Sequence, residues 1–134
     1  SVEVVLEISP DLPKIYVDSQ HMIQILRNLT VNASQAMASK IIAGLTTGVS
    51  TTGRLTLSAN VHDEMVRLNI QDTGVGIPPE NLPKLFEPLF TTKIKGIGLG
   101  LAVSKKLIEA NGGRIEVKSE AGVGSTFTIW MPVE

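Results

Sequence analysis

The chain has 134 residues, 43% of them hydrophobic, with 12 basic and 13 acidic side chains and a formal net charge of −1. This is enough for one domain with a real core and too apolar for a disordered segment, and the near-neutral charge leaves no footprint for nucleic acid or a membrane surface. With no cysteine there is neither a disulfide framework nor a thiolate metal site. No apolar run approaches the roughly 18 residues of a membrane span. The chain opens "SVEVVLEI", without methionine and directly on a strand pattern. That opening leads us to expect a domain cut from something longer, with any membrane anchor or sensor outside it.

Val2 to Ile8 alternates loosely with β-branched residues and predicts a strand. "SPDLPK" breaks it, and Lys14 to Val17 is expected to form a short second strand. Asp18 suits the N-cap of a helix running to about Met37, with an apolar stripe of Met22, Ile25, Leu26, Leu29, Ala33, Ala36 and Met37. His21 is expected at the surface of that helix start. The stretch from Ser39 to Gly53 turns rich in Thr, Ser and Gly and is expected to be a frayed helix end and a loop. Arg54 to Val61 and Met65 to Gln71 predict a hairpin across His62, Asp63 and Glu64. "DTGVGIPP" is a loop, with a short helix to follow around Glu80 to Leu85. A further helix is expected from Leu99 to Ala110 on the stripe Leu99, Ala102, Val103, Lys106, Leu107 and Ala110, ended by Asn111, Gly112 and Gly113. Arg114 to Lys118 and Ser125 to Met131 predict a second hairpin. The order gives a single α+β domain spanning residues 1–134. It is a two-layer α/β sandwich, with about three helices on one face of a mixed, mostly antiparallel sheet.

Four stretches carry chemistry. In "GIGLG", Gly96, Gly98 and Gly100 precede a helix, where free N–H groups and the helix dipole suit phosphate; it is neither a Walker loop nor G-x-G-x-x-G. A structural turn is the alternative. In "DTGVGIP", Asp72 directly follows a strand and can accept hydrogen bonds from an adenine amino group, while Gly74 and Gly76 let a flat ring approach the backbone; the alternative is an Asx-turn. Asn28 and Asn32 share a helix face and can offer amide oxygens to Mg²⁺, or else form a buried polar bridge to a neighbouring loop. In "LFEPLFTTK", Phe86 and Phe90 are one turn apart, and Lys93, with Lys95 as the lesser candidate, can fold over a terminal phosphate. Plain core and a solvated lysine are the alternatives there.

In this order the four stretches resemble the catalytic ATP-binding domain of sensor histidine kinases, within the gyrase, chaperone and MutL-like ATPase superfamily. "QILRNLTVNASQAM" is similar to the family's N box, "DTGVGIP" to its G1 box, "LFEPLF" to its F box, "GIGLGLAVSKKLIEANGG" to its G2 box and "GVGSTF" to its last glycine box. The likeness spans roughly Leu6 to Pro132, and "FTTK" followed quickly by "GIGLGL" resembles the nitrogen-regulation type. The resemblance implies the histidine-kinase-type ATPase fold, with ATP and Mg²⁺ as ligands. It implies that Asp72 binds the adenine N6 amino group, that Gly74, Gly76 and Ile77 line the ring with Phe90 nearby, and that Ser125 helps through its hydroxyl, by way of water. Asn32 would ligate Mg²⁺ with Asn28 beside it. The backbone from Gly98 through Leu99 and Gly100 to Leu101, with Gly96 before it, would hold the phosphates, and Lys93 would belong to the lid.

The same resemblance implies transfer of the γ-phosphate to a histidine on a separate dimerisation domain. The expected partners are that domain and a response-regulator receiver domain, with a homodimeric full-length protein, a cytoplasmic location, and neither nucleic acid nor direct membrane contact. His21 and His62 do not stand in the context of a phosphoacceptor helix, so the acceptor is expected outside these 134 residues. Two positions depart from the pattern: Ser39 to Gly53 is longer than the family needs, and Gln35 stands where many relatives carry a phosphate-reaching lysine. Three other readings stand beside this one. The first is a gyrase- or chaperone-type ATPase, whose water-activating glutamate would fall at Asn28. The second is a serine kinase of the anti-sigma or mitochondrial dehydrogenase-kinase sort, and the third an interaction module with a dead nucleotide site.

Overall fold

Inward-facing residues on alternate positions of four strands build the floor of the core, and two helices cover it. The computed structural model describes residues 2–48, 52–87 and 100–133. In chain order the elements are β1 (Val2–Ile8), α1 (Ser19–Thr47), β2 (Gly53–His62), β3 (Met65–Asp72), a 3₁₀ turn (Leu82–Lys84), α2 (Gly100–Ala110), β4 (Arg114–Glu120) and β5 (Gly124–Pro132). The sheet runs β1-β2-β3-β5-β4. Only β1 and β2 pair in parallel; the other three pairings are antiparallel. The expected mixed, mostly antiparallel sheet under helices is therefore present. Among the described residues two α-helices and one 3₁₀ turn stand where about three helices were expected.

Register carries the inward alternation across the sheet. Ile70 pairs with Leu57 and Phe127, and Phe127 with Val117, so four apolar side chains share one row of the face under the helices. Leu68, Ile129 and Ile115 make the next row. Onto these α1 lowers Ile25 and Leu29 and α2 lowers Ile108, all three without solvent exposure. At about 1.5–3 kcal/mol for each fully buried aliphatic or aromatic side chain, this shared cluster is the principal stabilising term of the fold. The opposite sheet face is polar: Asn69 donates to the Ser58 hydroxyl at 3.3 Å and accepts from Thr128 at 2.7 Å. Trp130 lies on that face between its register partners Arg67 and Arg114, whose guanidinium carbons are 5.6 and 4.6 Å from the ring centre.

Four local expectations need correction. Lys14 to Val17 forms no strand; one bridge, from Ile15 to Val133, is all that pairs there. The Ser39–Gly53 stretch is mostly helix, since α1 continues to Thr47 and ends on Gly48 in the left-handed conformation, whose N–H reaches the Gly44 carbonyl. The hydroxyls that suggested a loop turn back onto the helix: Ser39 to Gln35, Thr46 to Ile42, and Thr47 to Ala43 and Gly44. In α2 the buried positions are Ala102, Ser104 and Ile108, while Lys106 and Ala110 of the expected stripe are exposed. His21 is half-buried and lies 3.0 Å from Asn111 through its Nδ1.

Asp18 does cap α1, its carboxylate accepting from the Gln20 and His21 amides at 2.9 and 3.1 Å. The His21 amide, followed by the His21 side chain and the Gln20 amide, holds this carboxyl below the usual range against a smaller opposing effect of burial. The first hairpin turns on Asp63 and Glu64 alone, at φ 53° and 61°. A two-residue loop with both φ values positive matches strand twist, although Asn-Gly or Asp-Gly is the usual sequence for it. No helix among the described residues is long and apolar enough to cross a membrane.

Candidate nucleotide site

β3 delivers Asp72 to the end of the sheet beneath the loop that follows. Its side chain is 3% exposed, and among the described residues it is the one buried charge. A carboxylate removed from water requires donors, and Asp72 Oδ1 accepts the Gly74 amide at 2.8 Å. The Asx-turn weighed for this position is thus present. It fixes the orientation of the carboxylate through one of its two oxygens. Directly across the β3–β5 pairing stands Ser125, 5% exposed and on the same face.

The loop after Asp72 is held from two sides, and its glycines are required by that packing. A side chain at Gly74 would lie 2.6 Å from the Ala36 methyl group of α1, and the next amide, that of Val75, donates to the Ala36 carbonyl at 3.3 Å. Gly76 has φ +73°, and a Cβ there would collide with the Glu120 carbonyl. From the β4–β5 side, the Gly122 amide donates to the Val75 carbonyl at 2.7 Å. Ser119 receives the Ile77 amide on its hydroxyl at 2.8 Å. Ile77 is half-buried and packs against the core.

Asn28, on α1, supplies the other half of the site. Its amide nitrogen donates to the Gly100 carbonyl and to the Ser104 hydroxyl, both at 3.2 Å, while Ser104, fully buried, donates to Gly100 at 2.8 Å. The polar bridge expected as an alternative role for the asparagine pair is therefore real for Asn28. It ties α1 to the first turn of α2, where Gly100 and Leu101 lie. Both N–H groups of the amide are engaged, so its carbonyl oxygen is the atom left to act as a ligand. Asn32 is half-buried on α1 one turn along, and Ala36, against Gly74, is one turn beyond. One helix face thus joins the start of α2 to the loop after Asp72.

Phe90, Lys93, Gly96, Gly98 and Leu99 lie outside the described residues, as does Lys95. Gln35 is exposed. His62 sits on the polar sheet face beside Trp130, 5.7 Å between ring centres, well removed from Asp72 at the other end of β3. Among the described residues there is no cluster of three or more His, Cys, Asp or Glu able to hold a metal, so any cation here would rest on amide oxygens and on its ligand. Ser119 and Ser104 were not singled out from the sequence. Ser119 follows Ile115 and Val117 in β4's alternation, which places a hydroxyl on the core-facing side and could have marked it. Ser104 offered no such signal.

Comparison with known proteins agrees with this arrangement. Residues 17–134 match the model of the "Histidine kinase-, DNA gyrase B-, and HSP90-like ATPase" family. The sensor histidine kinase ZraS of Escherichia coli K12 is 40% identical over 122 residues, covering 91% of this chain and 24% of that protein. The sensory histidine kinase/phosphatase NtrB of Vibrio alginolyticus is 34% identical over 137 residues, covering 99% of this chain and 38% of that protein. The chain thus spans about a quarter of the length of ZraS. Full-length ShkA, solved in complex with AMPPNP, superposes with a TM-score of 0.80 at 32% identity, over 98% of this chain and 26% of that one. The nucleotide-free catalytic domain of the histidine kinase ThkA superposes with a TM-score of 0.79 at 28% identity, over 98% of this chain and 79% of that one. A buried aspartate ending a strand, an asparagine-bearing helix beside it, and a family match that contains both lead to one conclusion: this chain belongs to the histidine kinase-, DNA gyrase B- and HSP90-like ATPase family.

Proposed function

We propose that the chain is the ATP-binding catalytic domain, over residues 1–134, of a sensor histidine kinase, and that it presents the γ-phosphate of Mg-ATP to a histidine on a separate dimerisation domain. The observation that carries the reading is Asp72. It is a carboxylate buried at a strand end, pinned by the Gly74 amide and faced by the Ser125 hydroxyl. Held in that place, it suits a ligand group that donates hydrogen bonds.

In this reading Asp72 accepts from the adenine amino group, with Ser125 beside it, and Gly74, Gly76 and Ile77 form the wall along the ring. The residues present fit Mg²⁺: with its N–H groups bound to α2, Asn28 offers only an oxygen, and Asn32 supplies a second amide on the same face. The cation would neutralise charge on the phosphate oxygens. Gly100 and Leu101, with Gly96, Gly98 and Leu99 before them, would bring backbone N–H groups to the phosphates at the start of α2. Phe90 and Lys93 complete the proposed set. Little covalent chemistry falls to these residues, whose work is to position the nucleotide and balance its charge.

The whole protein would be a cytoplasm-facing homodimer that passes the phosphoryl group on to a receiver domain. What supports a larger protein is coverage: this chain spans 24% of the sensor histidine kinase ZraS and 20% of the histidine-protein kinase AtoS, which leaves room for further domains. Titration with Mg-ATP, followed by transfer of γ-labelled phosphate to an added histidine-bearing helical domain, tests the reading. Absence of nucleotide binding by the folded chain would end it.

A further inference from the structure

The Ser119 hydroxyl makes three short contacts. It receives the Ile77 amide at 2.8 Å, lies 3.0 Å from the Gly124 carbonyl, and lies 2.8 Å from the Ser125 hydroxyl. A hydroxyl has one proton to give. The Ile77 N–H can only donate and the Gly124 carbonyl can only accept. For all three contacts to be hydrogen bonds, the Ser119 proton must go to Gly124, and Ser125 must then donate its own proton to Ser119. The Ser125 oxygen is left with lone pairs alone for anything else that approaches it. Ser125 is the register partner of Asp72 on the same sheet face, and Asp72 is itself an acceptor.

We propose that Ser119 is a positioning residue that sets the hydrogen-bond polarity of this pocket. It makes Ser125 an acceptor beside Asp72, and so favours a purine with an amino group at position 6 over one with a carbonyl. The inference rests on the reading that a purine binds at Asp72. A 6-amino group brings two donors to two acceptors, reaching Ser125 directly or through a water. A 6-oxo group brings a third acceptor, and a site built for one polarity rejects the other because its buried groups are left unpaired. Ser119 also ties the loop that carries Gly76 and Ile77 to β4, so one hydroxyl fixes both the wall of the pocket and the polarity at its end.

The test is calorimetric titration of the chain with Mg-ATP and, separately, Mg-GTP, comparing wild type with Ser119→Ala and Ser119→Thr. With Ser119→Ala the Ser125 proton is released and can turn outward. Preference for ATP over GTP should fall by about 3- to 10-fold, the scale of one neutral hydrogen bond. Ser119→Thr keeps the hydroxyl and should keep the preference. A purely structural role for Ser119 would weaken both nucleotides equally, so an unchanged ratio overturns the proposal. If Ser119→Ala does not fold, Ser119→Cys, whose thiol is a poor donor and acceptor, must lower the ratio in the same direction, and an unchanged ratio there is equally fatal. Failure of the wild-type chain to bind either nucleotide would strike the reading of Asp72 itself. Normal ATP binding with an unmoved ratio would strike only Ser119.

Discussion

The Asn28 side chain donates to the Gly100 carbonyl at 3.2 Å, joining two helices whose contact residues are 72 positions apart. Together with its bond to the buried Ser104 hydroxyl, this makes Asn28 a structural residue before any nucleotide arrives. Asn28→Asp keeps the shape but replaces the NH2 group, with both its donors, by one oxygen that faces the Gly100 carbonyl and the Ser104 hydroxyl. We expect it to destabilise the nucleotide-free chain by about 1–3 kcal/mol. Urea unfolding should show a lower midpoint at unchanged slope. An unchanged midpoint would mean that the amide does not hold α2.

Asp72 offers a cleaner separation of folding from binding. Asp72→Ala should weaken Mg-ATP binding by about 1.5–3 kcal/mol, or roughly 10- to 150-fold. It also leaves the Gly74 amide without its acceptor, so stability should fall as well. Asp72→Asn can keep the bond to Gly74 through its remaining carbonyl oxygen while turning the other acceptor into a donor. Most of the affinity should then be lost with most of the stability kept. Unchanged affinity in Asp72→Asn, measured by calorimetry, would remove adenine from this position.

Much of this architecture was legible in the sequence, for physical reasons that also explain the misses. Ile25, Leu29, Ala33 and Met37 follow the helical period and are all buried, because the sheet beneath α1 is wide and apolar. The last ten residues of α1 were hidden by their Ser and Thr, whose hydroxyls satisfy themselves on the preceding turn instead of breaking it. The stripe of α2 was misplaced because Ser104 counts as polar in any periodicity. It is buried with its hydroxyl satisfied twice, donating to the Gly100 carbonyl one turn back and accepting from Asn28 on a distant segment. Asp72 stood out through its glycines. Those glycines answer first to Ala36 and to the Glu120 carbonyl, contacts that no local pattern contains.

The hairpin turn at Asp63 and Glu64 retains strain that can be removed. Both residues lie at positive φ, 53° and 61°, where a side chain costs roughly 1–2 kcal/mol. Glu64→Gly gives the Asp-Gly sequence such turns prefer, offset in part by the greater freedom of glycine when unfolded. We expect a net gain of about 0.5–1 kcal/mol and a melting point a few degrees higher. The melting curve of a single variant decides this, and any loss of stability would contradict the turn geometry.

The cap of α1 should be sensitive to acid. Asp18 has a folded-state pKa below its unfolded value, chiefly because the His21 amide donates to it. Its charged form therefore stabilises the fold at every pH above the unfolded value, and that contribution is lost as pH falls through the folded one. Asn is also a good cap and does not titrate. The stability difference between wild type and Asp18→Asn should thus change between neutral pH and the acidic range, with wild type losing ground. A difference that stays constant across that range would show that the carboxylate charge contributes nothing.

Chemistry provides the most discriminating outcome. An amide at position 28 cannot take a proton from water near neutral pH, and in this structure its N–H groups are committed to Gly100 and Ser104. General-base catalysis typically contributes 10²- to 10⁴-fold, and each tenfold is about 1.4 kcal/mol of barrier. Without it, hydrolysis by the chain alone should fall far below the ~10 s⁻¹ of a typical enzyme. Phosphoryl transfer should appear only when a histidine-bearing helical domain is added, because the imidazole is itself a competent nucleophile. His21 should not become labelled, since it sits beside Asn111 at the far end of α1 from Ala36 and the Asp72 loop. His62 should not either, standing on the opposite face of the sheet beside Trp130. Incubation with γ-labelled ATP, with and without the added domain, reads all three expectations at once. Brisk release of phosphate by the chain alone, with no transfer, would assign it to the ATPase branch of the family instead.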